Sequence, residues 1–199
     1  MKAFPAFILA ILALSALSAY ARPLQDYPEA RGKVWKSLSY SDRLGRHTVI
    51  LSRKSYASQP SKNDRDFICS NEELYGCDYI KSKTKPRLLW RMRDHVHDCP
   101  TSARAEFSPD SPVITDLNGN GISEVWITYY IGCHGDVSPD GMKILMYEGG
   151  KKYALRGETF VHVDGMDLGG NYKADPAFAG APAPFLRFAD KLWQKNMRR

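Results

Sequence analysis

The stretch Thr115 to Tyr130, TDLNGNGISEVWITYY, decides the fold because a polar, glycine-rich loop passes directly into an unbroken run of β-forming residues. Glu124 to Ile131, EVWITYYI, is crowded with β-branched and aromatic side chains, which pack well on a pleated sheet. It is the clearest strand in the chain. The Asn- and Gly-rich residues before it are typical of a tight connection between strands. We therefore predict a sheet built outward from this strand.

Segments on both sides also have strand character. KVWKSLSY and HTVILSRK flank the turn SDRLGR, in which Gly45 can take a positive φ, and RLLWRMRDHVHD has the pattern of a long amphipathic strand. A second hairpin is predicted around the turn Glu148–Lys151, between GMKILMYE and KKYALRG. Prolines limit EFSPDSPVITD to short or edge strands, and Ser55 to Asp66 has the composition of an exposed loop.

The C-terminal segment FLRFADKLWQKNMRR has helical periodicity. Phe185, Phe188, Ala189, Leu192 and Trp193 recur at helical spacing, and the final arginines suit the negative pole of a helix dipole. A connection rich in Gly, Pro and Asp precedes this segment, and the sequence contains no internal repeat. The predicted fold is mainly β, of the α+β type, with an antiparallel sheet of hairpins and a C-terminal amphipathic helix.

The N-terminus has the pattern of a secretory signal peptide, residues 1–21. Lys2 precedes an apolar run from Ala6 to Leu17, and an A-x-A cleavage pattern ends at Ala21. The apolar run is shorter than the roughly 20 residues that span a bilayer. No cysteine lies near the cleavage point to carry a lipid. We expect a periplasmic or secreted product with no membrane span after signal cleavage, in which residues 22–199 form a single β-rich domain with a C-terminal helix.

The charge balance is mildly basic. The chain has a formal charge of +6, and signal cleavage removes one lysine and leaves +5. Such a balance suits an anionic glycan or membrane surface, or simply keeps a protein soluble. The basic clusters at 81–87 and 91–93 alternate, so each would project from one face of a strand. No nucleic-acid-binding motif accompanies them. The expected partner is an anionic glycan or another envelope component.

Four cysteines are compatible with disulfides in an exported chain. Three pairings are conceivable. The favoured one joins Cys69 to Cys77 across a short local loop, and Cys99 to Cys133 at the ends of two predicted strands. A zinc site is the alternative, but no C-x-x-C spacing supports it.

The loop before the central strand also has the ligand spacing of a calcium site. Acidic or amide side chains occupy its positions one, three, five and nine, with glycine at position six. It is not an EF-hand, because position twelve is isoleucine and a strand follows. With only two acidic ligands, the loop predicts a weak, structural Ca²⁺ site with a Kd of ~10⁻⁴ to 10⁻³ M. The alternative is a turn that holds no metal. The candidate ligands are Asp116, Asn118, Asn120, the carbonyl of Ile122, and Glu124.

Three histidines form a second metal hypothesis. Two of them are at i and i+2 in RDHVHDC, on one face of a strand, and a bond between the last two cysteines would bring the third close. The candidate zinc or copper ligands are His95, His97 and His134, with Asp98 or Asp136 orienting a ring. The favoured alternative is that these histidines are exposed or cap strand ends.

Signals for catalysis are sparse. The chain has no G-x-S-x-G elbow, and its cysteines are better used in disulfides. Asp136 and Asp140 are a candidate carboxylate pair for glycoside chemistry, although such residues more often form turns. Aromatic residues expected to alternate between the core and an outward face that stacks on sugars are Trp90, Trp126, Tyr129 and Tyr130.

Together RDHVHDC, the stretch from VITDLNGNG to YALRG, and the ending DPAFAGAPAPFLRFADKLW resemble a family of uncharacterised exported bacterial proteins, some labelled surface-polysaccharide biosynthesis proteins. The resemblance covers about residues 90–193, implies the envelope of a Gram-negative bacterium and names no catalytic residue. The calcium-type loop resembles the turns of FG-GAP repeats, in one copy. We expect a calcium-stapled, disulfide-bonded envelope protein with a binding or structural role linked to surface polysaccharide; the alternative is a polysaccharide-active hydrolase or lyase.

Overall fold

The computed structural model describes residues 24–58 and 68–198. The predicted signal peptide and residues 59–66 of the predicted loop lie outside these ranges. Within them, antiparallel strands dominate and one α-helix closes the chain, so the mainly β prediction is confirmed. No helix in the described ranges combines the length and hydropathy needed to cross a bilayer.

Sheet A is a four-stranded meander, with each strand paired to the next along the chain. Its strands are β1 (Lys33–Asp42), β2 (Gly45–Ala57), β3 (Ser70–Ile80) and β4 (Arg87–Cys99). The turn between β1 and β2 has only two residues, and Gly45 follows it with a φ of 132°. The predicted hairpin and the long amphipathic strand β4 are confirmed.

Sheet B forms around the strand with the clearest sequence signal. Its strands are β5 (Ala103–Phe107), β6 (Val113–Thr115), β7 (Glu124–Cys133), β8 (Gly141–Glu148), β9 (Lys151–Glu158) and β12 (Tyr172–Ala174). Between β9 and β12 the chain forms a separate small hairpin of β10 (Phe160–Val163) and β11 (Met166–Gly169). The strand order is β12-β9-β8-β7-β5, and β6 also pairs with β7. The hairpin of β10 and β11 was not predicted, because MDLG lacks β-forming residues; positive φ at Asp164 and Gly165 forms its turn.

The molecule has three layers, with sheet B in the middle. One face of sheet B packs on sheet A through a core that includes Leu51, Leu74 and Ile127. The other face packs on the helix α1 (Ala183–Asn196), as the periodicity predicted, and Phe185 and Trp193 of the helix are fully buried there. Each fully buried apolar side chain of this size contributes roughly 1.5–3 kcal/mol.

Covering both faces of sheet B corrects the prediction of outward-facing aromatic residues. Trp126 and Tyr130 face the helix and Trp90 and Tyr129 face the core between the sheets, and none is more than 5 % exposed. The strand alternation was right. The assumption that one face would meet solvent was wrong, because β7 lies between two apolar layers.

The disulfide between Cys99 and Cys133 is present and joins the end of β4 to the end of β7. The predicted bond between Cys69 and Cys77 is absent, and both thiols are free. Residues 70–80 are one extended strand and not a loop, so Cys77 lies roughly 26 Å along the chain from Cys69 at ~3.3 Å per residue. A disulfide requires Cα atoms about 4.4–6.8 Å apart.

Thiol labelling will distinguish the two free cysteines. Cys77 is fully buried, and burial together with Asp78 and Glu29 raises the pKa of its thiol to about 12, whereas Cys69 is half-buried. We expect one thiol to react with a disulfide reagent under native conditions and a second only after unfolding. Cys69→Ser should abolish the native reaction, and Cys77→Ser should leave it unchanged. Finding no free thiol after unfolding would contradict the structure.

Candidate functional site

The outer face of sheet A, turned away from sheet B, carries a compact group of polar and aromatic side chains. We call Tyr56, Glu73, Tyr75, Arg93 and His97 the Glu73 cluster. Strand register places them on one face, because Glu73 pairs with His95 and Tyr75 with Arg93 across β3 and β4. The N-terminal segment covers the other end of this face, where Tyr27 packs on Tyr79.

Glu73 is the hub of the cluster. Its Oε1 accepts hydrogen bonds from the Tyr56 hydroxyl at 3.1 Å and from Arg93 at 2.9 Å, and His97 Nε2 lies 2.9 Å away. Its Oε2 accepts the Tyr75 hydroxyl. The Glu73 residue is only 4 % exposed, yet both of its carboxylate oxygens accept hydrogen bonds. Such a buried carboxylate holds its donors in fixed positions.

These donors fix the charge of Glu73. Burial raises the pKa of this carboxyl, but the hydrogen bonds from Tyr75, His97, Tyr56 and Arg93 outweigh burial and hold its pKa at about 2 instead of 4.5. Burial and the same hydrogen bonds raise the pKa of Tyr56 and Tyr75. The carboxylate and both phenols therefore keep one protonation state around neutral pH.

The outer rim of the cluster meets solvent. The side chains of Arg93 and His97 are 52 % and 33 % exposed, and Tyr56 is 38 % exposed. The His95 and His97 rings stack with centroids 4.1 Å apart, and Lys54 Nζ lies 4.7 Å from the Tyr56 ring centroid. The rim thus combines cationic and aromatic groups. Arg91 and Arg93 project from the same face of β4, as their alternation predicted. The other predicted basic run fails to alternate, because residues 81–86 form the turn between β3 and β4.

Polar contacts pin the end of β4 beside the cluster. Asp98 has a φ of 51°, accepts the Ser58 hydroxyl at 2.6 Å, and its backbone N–H donates to Asn71 Oδ1 at 2.9 Å. The Asn71 amide donates to Ser58 Oγ at 2.7 Å, which closes the triangle. A register shift between Ser70 and Glu72 falls at the same place, and these contacts hold the strand end that carries His97.

The sequence does not identify Glu73, because it predicts that SNEELYG, residues 70–76, forms a loop closed by a disulfide. The alternation of Asn71, Glu73 and Tyr75 in that segment was the available signal for a strand face. No sequence pattern linked Glu73 to Arg93 and His97, since these residues meet only across paired strands.

The predicted calcium loop lies between β6 and β7 and is closely hydrogen-bonded. Asp116 accepts the backbone N–H groups of Asn120 and Gly121 at 3.1 and 3.0 Å, and Asn120 Oδ1 accepts that of Ile122 at 2.7 Å. Asn118 Oδ1 accepts the N–H of Asn120 at 3.0 Å. Each accepting oxygen retains a second lone pair, so the hard oxygen donors that Ca²⁺ prefers are grouped on one turn.

The two acids near this loop have different roles. Glu124 is fully buried and accepts the Thr115 hydroxyl at 2.7 Å and the Leu117 N–H at 2.9 Å. Glu148, which the sequence did not indicate, accepts the side-chain amides of both loop asparagines at 2.6 and 2.7 Å. Glu148 therefore brings a carboxylate to the loop, whereas Glu124 anchors the loop to its own strand pair.

The three predicted histidine ligands do not meet in one site. His97 is oriented by Glu73, whereas His134 Nε2 lies 3.0 Å from Asp140 at the end of sheet B. Asp140 also pairs with Arg104 at 2.6 Å. Gly132 leaves space for this contact, since a Cβ there would lie 2.3 Å from Asp140 Oδ1. The described residues contain no group of three or more His, Cys, Asp or Glu side chains that could hold a metal.

The predicted carboxylate pair is not arranged for glycoside chemistry. Asp140 is 4 % exposed and bound to Arg104 and His134, whereas the Asp136 side chain is 70 % exposed. The two carboxylates contact opposite nitrogens of the His134 ring, at 3.0 and 3.6 Å, so the ring lies between them. They brace a loop and do not face a common cleft.

Comparison with known protein families, with curated proteins and with solved structures finds no match for this chain.

Replacing Glu73 tests whether it is the electrostatic hub. Its folded pKa of about 2 lies below the ordinary 4.5, so its contribution to stability is present above pH 4.5 and is lost as the pH falls towards 2. We expect Glu73→Gln to lower the free energy of unfolding at pH 7 by about 1–3 kcal/mol and to flatten its decline between pH 4.5 and 2. Urea unfolding across this pH range measures both effects.

Glu72→Gln is the matched control. Its carboxylate accepts the exposed Ser55 hydroxyl at 2.7 Å and lies next to Glu73 in the same strand. This variant should keep the wild-type pH profile. Equal profiles for the two variants would show that Glu73 has no special role.

Proposed function

We propose that this protein is an exported envelope protein that binds an acidic polysaccharide at the Glu73 cluster, with a calcium-stapled loop as a structural element. The observation that carries the proposal is a buried Glu73 carboxylate that holds Arg93, His97 and Tyr56 at one exposed edge. The N-terminal signal pattern supports export, and the resemblance over the C-terminal half supports an envelope setting.

The exposed groups match the chemistry of a uronic acid or a similar sugar. A guanidinium binds a carboxylate through parallel hydrogen bonds, and an aromatic ring packs on the apolar face of a sugar. Arg93 lies 5.7 Å and Arg31 6.0 Å from the Tyr75 ring centroid, so cations and aromatic rings alternate across the face. Arg91 extends this face, although it pairs with Glu29 at 3.0 Å.

The same geometry favours binding over hydrolysis or elimination. A general acid or base works best when its pKa lies near the operating pH. Glu73 has a pKa of about 2, and the pKa values of Tyr56 and Tyr75 are raised, so none of the three suits this role. Glu73 is a positioning residue in this proposal, and Arg93 and His97 bind the ligand.

Binding to acidic polysaccharides tests the proposal directly. We expect alginate or polygalacturonate to bind, with no binding to neutral dextran of equal length, and Arg93→Ala or His97→Ala to weaken binding about 10-fold or more. Calorimetry at several salt concentrations measures this, and rising salt should reduce the affinity. Arg187→Ala, an exposed cation on α1, is the control and should bind as the wild type does.

Two outcomes would overturn this function. One is equal binding by the wild type and Arg93→Ala when both have the same melting temperature. The other is shortening of the polysaccharide, measured as new reducing ends or unsaturated products, that Glu73→Gln abolishes. The second result would establish the hydrolase or lyase alternative.

In the calcium part of the proposal, Ca²⁺ is held by Asp116, Asn118, Asn120 and the carbonyl of Ile122, with Glu148 as the adjacent carboxylate. When bound, the ion supplies positive charge that clamps these oxygens together. The further involvement of Glu124 stays a prediction.

Thermal unfolding tests the calcium staple. With [Ca²⁺] at 100 times Kd, binding adds about 2.7 kcal/mol, which shifts the melting temperature by several degrees. We expect millimolar Ca²⁺ to stabilise the wild type relative to excess EDTA and Asp116→Ala to abolish the response. Asp110→Ala, an exposed acid paired with Lys195, should respond as the wild type does. No response in the wild type would leave the loop as a metal-free turn.

A further inference from the structure

A second concentration of positive charge lies on sheet B, beside the edge of sheet A. We call Lys143, Lys152, Arg156 and Lys173 the Lys152 groove. Arg156 pairs directly with Lys143 on β8 and with Lys173 on β12, so the three form one row across the strands. Directly paired side chains have Cβ atoms about 4.5–5.5 Å apart. None of these residues belongs to the Glu73 cluster.

Register fixes which face these cations occupy. Lys143 also pairs with Tyr129, and Lys152 pairs with Tyr147; both tyrosines belong to the core between the sheets. The row therefore lies on the face of sheet B that turns towards sheet A, on strands β8, β9 and β12. Arg156 has a 46 % exposed side chain, and Lys152 and Lys173 are exposed. Sheet A thus leaves this part of the face open to solvent.

Strand β4, the end strand of sheet A, forms one wall of the groove. The Tyr147 hydroxyl donates to the Arg91 carbonyl at 3.4 Å, and the Lys143 ammonium donates to Asp94 at 2.5 Å. The Trp90 and Tyr147 rings stack with centroids 4.3 Å apart. The stacked rings and the strand edge form a rigid border of the groove, and Lys152 is the cross-strand partner of Tyr147 at this border.

Positive charge in the groove exceeds the negative charge around it. The carboxylates of Asp94 and Asp175 pair with Lys143 and Arg156, at 2.5 and 3.3 Å. The ammonium groups of Lys152 and Lys173 have no ion pair or hydrogen bond within residues 24–58 and 68–198. Glu158, two residues along β9 from Arg156, adds a third carboxylate to this face, but it is six residues from Lys152 along the strand. Lys152 and Lys173 therefore remain beside Arg156 without an ion pair, and adjacent like charges on a sheet are destabilising.

The titration of Lys152 agrees with this geometry. Although Lys152 reaches solvent, partial desolvation lowers its pKa, Arg156 lowers it further, Asp175 and Asp94 raise it, and Lys143 lowers it again. A lysine whose charged form is disfavoured by its neighbours is stabilised by an anion that binds among them.

We propose that the Lys152 groove binds a doubly charged tetrahedral oxyanion, a phosphate or sulfate group, through Lys152, Arg156 and Lys173. A dianion offsets the charges of Lys152 and Lys173, which have no ion pair, and its several oxygens can accept from a guanidinium and two ammonium groups at once. The group arrives as a free ion or as a substituent of a polymer. This site is on a different face from the Glu73 cluster, and its ligand differs in charge and shape from a sugar carboxylate.

Labelling at single lysines tests this site. We expect about 10 mM inorganic phosphate or sulfate to slow acylation of Lys152 at pH 8 by roughly tenfold. A bound anion should raise the pKa of Lys152, and a rise of about one unit lowers the fraction of reactive free amine about tenfold. Lys151, the neighbouring residue, projects to the opposite face with its ammonium 4.9 Å from the Tyr153 ring centroid. Its acylation rate should not change. Peptide mass spectrometry reads both sites in the same sample.

Substitutions give an independent measurement. Phosphate should raise the melting temperature of the wild type, Lys151→Met and Arg93→Ala, and should not raise that of Lys152→Met. Equal protection of Lys151 and Lys152, or an unchanged phosphate response in Lys152→Met, would overturn the proposal.

The source of the oxyanion is distinguished with polymers. If dextran sulfate protects Lys152 from acylation at a far lower sulfate concentration than the free ion requires, the natural ligand is a polymer-borne group. If the two protect Lys152 at equal sulfate concentrations, the natural ligand is the free ion. Protection by alginate alone, with no effect of phosphate or sulfate, would contradict a tetrahedral ligand.

Discussion

The need to cover both faces of sheet B constrains the whole molecule. Strand β7 presents Trp126 and Tyr130 to the helix layer and Ile127 and Tyr129 to sheet A, so the strand is stable only between two apolar layers. Helix α1 and sheet A supply these layers. With both layers packed on sheet B, two broad sheet surfaces in the described ranges remain open to a ligand. One is the outer face of sheet A, and the other is the part of sheet B beyond β4.

The sequence predicts those strands and helices whose composition or periodicity is visible within a single segment of the chain. EVWITYYI has strand composition throughout, and the helical apolar spacing around Trp193 required no knowledge of its neighbours. The predictions were wrong or incomplete where the arrangement of residues depends on which strands pair and in what register. Cys69 and Cys77 are close in sequence, yet β3 holds them apart in one extended strand. The Glu73 cluster draws on β2, β3 and β4, so its members come together only when register is known.

A buried polar network links the calcium-type loop to sheet A. The His47 ring lies between Asp78, at 2.8 Å, and Asp42, at 3.0 Å, and it is fully buried. Asp42 also accepts the Ser123 N–H at 3.0 Å, where the loop meets the first hairpin. Burial is the main cause of the raised pKa of Asp78, and leaving a polar group unpaired at such a buried site is costly. Ca²⁺ bound in the loop would therefore stabilise the contact between the loop and sheet A, because Ser123 belongs to the same connection.

The two proposed binding surfaces share a physical origin in the position of β4. An end strand with unpaired backbone groups invites pairing with another chain, and charged side chains on it prevent that contact. Arg91 and Arg93 project outward from β4, and Asp94 projects towards the Lys152 groove. Both arginine side chains reach solvent, and Arg93 lies 5.7 Å from the Tyr75 ring centroid, so an anion can approach their guanidinium groups. Protection of the edge and recognition of an acidic ligand can therefore reside in the same side chains.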